Sequence, residues 1–157
     1  MSTTPLQCFK PEWRLCVSQI RPITPNFAVA PAPGPGFFED AKAQGYGLII
    51  NNRPDGEDPA QLSSAAAEAA ARALGLDYLY IPVSGMPGSA QAAAMAQALA
   101  GAEQPVLAFC RSGTRSAASF ALAQALTGAD IDATLAMTRA AGYELSQLAP
   151  LMGQLKP

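Results

Sequence analysis

Three short apolar runs, each followed by an alanine-rich stretch, constrain this chain more than any other feature. Gly47-Leu-Ile-Ile50, Tyr78-Leu-Tyr-Ile81 and Val106-Leu-Ala-Phe109 have strand length and strand composition. Between and after them the sequence turns helical. A helix is expected from Asp58 as N-cap, with Pro59 as its first residue, to a stop at Gly75. Others are expected from Ser89 to Gly101 and from Thr114 to Leu126, with a short one over Phe37–Gln44 and two more over Ile131–Ala141 and Glu144–Leu155. Strands alternating with helices imply an α/β fold: a three-layer, parallel-rich sheet flanked by helices on both faces. In such sheets function gathers at the carboxyl ends of the strands. Here those ends are Asn51 onward, Pro82 onward and Cys110 onward.

The sequence reads as one domain over 1–157. Residues 1–35 are expected to be an irregular, proline-rich N-terminal segment packed on it, with short strands at Arg14–Val17 and Phe27–Ala30. Half the residues are hydrophobic and 14% are charged, which suits a packed core. A net charge of −2 gives no broad basic surface, so nucleic acid is not an expected partner. No apolar run reaches membrane-spanning length, and the first residues lack a signal-peptide core. Three cysteines, an odd number, argue against a disulfide framework; together these features point to a cytoplasmic protein with reduced thiols. Oligomeric state leaves no signal.

The chain contains no histidine, which removes Ser-His-Asp and Cys-His catalysis. Cys8, Cys16 and Cys110 have no metal-ligand spacing, and neither a metal nor a cofactor is expected. Cys8 and Cys16 read as structural.

Cys110 differs because of what surrounds it. The stretch Cys110-Arg-Ser-Gly-Thr-Arg-Ser116 joins the strand at Phe109 to the helix at Thr114. Loop amides and the positive helix end favour thiolate over thiol, and the thiolate is the nucleophile. Gly113 lets the backbone curl into an anion nest, and Arg115 offers a planar fork to two oxygens of an oxyanion. Ser112, Thr114 and Ser116 add hydroxyls, Ser116 being placed to bond the thiolate; Arg111 is either a ligand contact or a solvated charge.

The loop resembles two families. Cysteine-dependent protein tyrosine and dual-specificity phosphatases carry a phosphate-binding C-x5-R loop, whereas rhodanese-like sulfurtransferases carry tighter ones; here the spacing is C-x4-R. With Asn51-Asn-Arg-Pro-Asp-Gly-Glu57 and Ile81-Pro-Val-Ser-Gly85 upstream, the chain from about Val17 to Leu126 resembles the beta-lactamase hydrolase-like family, phosphatase-like domain. The resemblance implies a phosphatase-like fold and a cysteine-dependent hydrolase acting on a small-molecule or protein phosphate ester. Rhodanese-like transfer from a sulfane-sulfur donor, through a Cys110 persulfide, is the alternative; a non-catalytic anion-binding module is the third.

Two departures bear on this choice. Phe109 stands where many such phosphatases have histidine. The loop Pro82–Gly88, where related enzymes carry an acidic proton donor, has no carboxylate. Asp55 is the expected substitute acid, with Glu57 beside it, although Pro54-Asp-Gly56 also suits a plain turn. Arg53 is expected either to line the anion pocket or to pair with Asp55. Phe37, Phe38, Tyr46 and Met86 are apolar side chains expected in ordinary packing or along the site's walls.

Overall fold

A computed structural model describes residues 20–157. Five strands form one sheet: β1 (Arg21–Thr24), β2 (Phe27–Ala30), β3 (Leu48–Asn51), β4 (Asp77–Tyr80) and β5 (Val106–Phe109). Their order is β1-β2-β5-β3-β4. All neighbours are parallel except the β1–β2 pair, which is antiparallel. Among the described residues six α-helices accompany them: α1 (Phe37–Ala43), α2 (Ser64–Ala73), α3 (Ser89–Gly101), α4 (Thr114–Leu126), α5 (Ile131–Ala140) and α6 (Ala149–Leu155).

Side chains alternate across the sheet, and each face buries its own core. Phe27, Val29, Ile50, Val106 and Ala108 meet α3, α4 and the C-terminal helices. Ala28, Ala30, Ile49, Leu107 and Phe109 meet α1 and α2. Helix α4 lies deepest. Small residues let it approach the sheet closely, and its Phe120 stacks on Phe27 at 4.5 Å between ring centroids.

Several expectations shift. The expected strand Phe27–Ala30 is β2, wholly buried and paired with β5 inside the sheet. The expected strand Arg14–Val17, Cys8 and Cys16 lie outside the described residues. Helix α2 begins at Ser64, six residues after the predicted Asp58 cap. Asp58 instead takes the Ala60 amide in a local turn, while Ser63 caps the helix by accepting from Ala66 N–H. The last predicted helix is divided: a 3-10 turn at Ser146–Leu148 precedes α6, whose first turn holds Pro150.

Candidate active site

β5 ends at Phe109 in the interior of the sheet, between β2 and β3. The chain then turns through Cys110–Gly113 into α4. Gly113 is the N-cap of that helix, with φ +95°, a left-handed conformation that glycine accepts without a side-chain penalty. Its amide donates to Cys110 Sγ at 3.0 Å. Cys110 is buried and unpaired in any disulfide.

Arg115 has five N–H donors, and three are committed. Nη1 donates to Glu57 Oε2 at 2.6 Å and to the Val83 carbonyl at 2.7 Å; Nη2 donates to Glu57 Oε1 at 2.9 Å. Nε–H and the second Nη2–H share another edge of the guanidinium plane, and the side chain also bonds Cys110. The Glu57 bond raises the Arg115 pKa, as does the adjacent Cys110 sulfur, against the lowering effect of burial. Arg115 is thus braced by Glu57 and the Val83 carbonyl, with Cys110 beside it. That is the geometry an oxyanion needs.

Glu57 is the residue that sequence reasoning undervalued. Its carboxylate accepts from Arg115 and also from Arg53 Nε at 3.0 Å. Chiefly through the Arg115 bond, its pKa falls to about 2. A carboxyl group held that low is ionised at neutral pH and has no proton to give. The i,i+4 spacing of Arg53 and Glu57 was the available signal; the partner 58 positions away was not visible in the sequence.

The other predicted residues divide. Arg53 is buried and pairs with Glu57 rather than Asp55, while its own N–H donates to Asn51 Oδ1 at 2.8 Å. Asp55 accepts the Ser64 amide at 2.7 Å, at the start of α2, and its N–H donates to the Tyr80 hydroxyl. Among the described residues Asp55 makes no hydrogen bond or ion pair with Arg53, Arg115 or Cys110. Ser116 does not bond the sulfur: its hydroxyl donates to Asn52 Oδ1 at 2.8 Å. Ser112 and Thr114 hydroxyls bond each other at 3.1 Å on the exposed side of the loop. The Arg111 side chain is exposed, and its carbonyl accepts the Ala32 amide. Phe37 and Phe38 pack in the core, Phe37 edge-on to Phe109, whereas Met86 is 56% exposed.

Asn52 connects the strand ends. Its Nδ2 donates to the Ile81 carbonyl at 2.8 Å while its Oδ1 takes Ser116, so β3, the segment after β4 and α4 meet on one buried amide. Beside Arg53 a cleft of about 160 Å³ opens among Ala32, Pro33, Gln61, Leu62 and Phe109. Among the described residues no cluster of histidine, cysteine, aspartate and glutamate could hold a metal ion, and no helix is long and apolar enough to cross a membrane.

Residues 19–127 match the family described as beta-lactamase hydrolase-like protein, phosphatase-like domain. A beta-lactamase hydrolase-like protein of Agrobacterium fabrum is 42% identical over 107 residues, covering 68% of this chain and 25% of the relative. One of Xylella fastidiosa is 37% identical over 127 residues, covering 80% of this chain and 30% of the relative. The chain therefore spans about a quarter to a third of the length of these relatives. Among solved structures, a Neisseria meningitidis protein assigned as a phosphatase superposes with a TM-score of 0.77 at 25% identity, over 88% of this chain and 99% of that one. Tk-PTP in its active form superposes with a TM-score of 0.67 at 17% identity, over 88% of this chain and 94% of that one; at that identity the likeness is one of fold.

Proposed function

The chain belongs to the beta-lactamase hydrolase-like family, phosphatase-like domain, and from that membership we propose that it hydrolyses phosphate esters with Cys110 as nucleophile and a phosphocysteine as intermediate. The observation that carries this reading is the Arg115 guanidinium, braced by Glu57 and the Val83 carbonyl, beside a sulfur that already accepts the Gly113 amide. The Cys110 thiolate attacks phosphorus, a P–S bond forms, and the bond to the leaving oxygen breaks. Arg115 holds the non-bridging oxygens as charge develops on them. Water then attacks phosphorus, the P–S bond breaks, and inorganic phosphate leaves with the thiolate restored.

Proton supply limits the substrate. Glu57 is ionised on two guanidinia, Asp55 is committed to the Ser64 amide, and Pro82–Gly88 has no carboxylate. We therefore assign Asp55 to capping and none of the described residues to leaving-group protonation. The fitting esters are those whose leaving group departs as a stable anion, such as an aryl phosphate. Wild-type turnover of an aryl phosphate that is lost in Cys110→Ser supports the reading; equal rates for the two proteins refute it.

The lack of an acid, together with the C-x4-R spacing, favours a second reading. The thiolate attacks the outer sulfur of thiosulfate, the S–S bond breaks, sulfite departs, and the Cys110 persulfide passes its sulfur to an acceptor thiol. No step needs a proton donor. Added sulfur on Cys110 after exposure to thiosulfate identifies this chemistry, and an unchanged mass under donor excess removes it.

A further inference from the structure

We propose that Tyr143 is a positioning residue of the anion loop: by taking the Ser112 carbonyl, it turns the Ser112–Gly113 peptide so that the peptide N–H faces the Cys110 sulfur. The Tyr143 hydroxyl donates to the Ser112 carbonyl oxygen at 3.3 Å. The N–H of that same peptide donates to Cys110 Sγ at 3.0 Å. In a trans peptide the C=O and N–H point in opposite directions, so fixing one fixes the other. Gly113, at φ +95°, is where such a peptide would turn over most readily, because no Cβ resists the change. A turned peptide would aim a carbonyl at the sulfur and at any bound oxyanion.

The tyrosine is itself held in place. Its ring is buried, and its backbone N–H donates to the Thr138 carbonyl at 2.8 Å. The Arg21 guanidinium lies 5.9 Å from the ring centroid and donates to the Ala141 carbonyl, joining β1 to the end of α5 around it. The fit on the loop is close: a methyl group at Gly113 would overlap the Tyr143 hydroxyl. Burial, above all, pushes the hydroxyl pKa up, so it remains a donor at neutral pH. Tyr143 lies outside the matched residues 19–127, so the C-terminal helices supply a part of the site that the family match does not cover.

The inference rests on Cys110 being the nucleophile, and a titration beside turnover separates the two claims. The ultraviolet thiolate band is followed against pH in wild type and Tyr143→Phe, with Cys110→Ser as blank; Arg115 is the charged group beside the sulfur in both proteins. Tyr143→Phe keeps the ring and its packing, and its melting temperature should match wild type within a few degrees. Its thiolate midpoint should rise by roughly half a unit to one unit, the effect of one loosened hydrogen bond to sulfur. Aryl phosphate turnover at neutral pH should fall several-fold and recover as pH is raised. A midpoint unchanged from wild type overturns the positioning role. Aryl phosphate turnover that Cys110→Ser leaves undiminished removes the nucleophile on which the inference depends.

Discussion

Glu57 and Gly113 illustrate how single residues set this site. Glu57 braces Arg115, so Glu57→Gln should lower aryl phosphate turnover roughly ten- to hundredfold by letting the guanidinium wander. The same contact governs acid stability. The folded pKa of Glu57, about 2, lies below the ordinary value of 4.5. The ionised carboxylate therefore stabilises the fold fully above about 4.5, and that contribution is lost as pH falls through about 2. Denaturant titrations should show wild type more stable than Glu57→Gln by about 1 kcal/mol at pH 7, the carboxylate being partly open to solvent, with the gap closing in strong acid. A gap that persists or widens there contradicts the assignment. Gly113→Ala meets both a left-handed φ and the Tyr143 hydroxyl, so it should cost about 2–3 kcal/mol in the same assay; a neutral change would mean the loop is not built as described.

At the scale of elements, the sequence made the strands and most helices readable because each carries its own periodicity or stop signal. β5 and α4 matched at both ends, and β3 and β4 shifted by one residue. The start of α2 was misread because two capping sequences compete within six residues. Asp58-Pro59 is a sound helix opening in isolation, but the loop after β3 uses Asp55 and Ser63 instead, and that choice depends on Tyr80 and Ser64 across the fold. Asp55→Ala should therefore cost about 1 kcal/mol of stability and leave aryl phosphate turnover within a few-fold of wild type. Turnover lost by orders of magnitude in a folded protein would return Asp55 to the role of acid. Asn52, invisible as a site residue in sequence, joins the end of β3, the segment after β4 and helix α4. Asn52→Ala leaves the buried Ser116 hydroxyl and the part-buried Ile81 carbonyl without their partner, at a cost of about 1–3 kcal/mol in denaturant unfolding; a loss below that range would mean water repairs both.

Over the whole molecule, the parallel order β2-β5-β3-β4 delivers four strand ends to one rim, with the strand that leads to Cys110 among the central ones. That placement was foreseeable from the alternation of strands and helices alone. The path of β2 into the sheet was not, since four residues after a proline-rich stretch carry no sign of the partner they pair with. Nor was the contact by which the C-terminal helices reach the loop through Tyr143. The choice between phosphorus and sulfur rests on Cys110 itself. The direct test is rapid acid quench of wild type turning over an aryl phosphate, followed by intact and peptide mass spectrometry. The account predicts one phosphoryl group on the Cys110 peptide during turnover, absent from Cys110→Ser. Turnover with no phosphoryl group on that peptide, or undiminished turnover by Cys110→Ser, would contradict it.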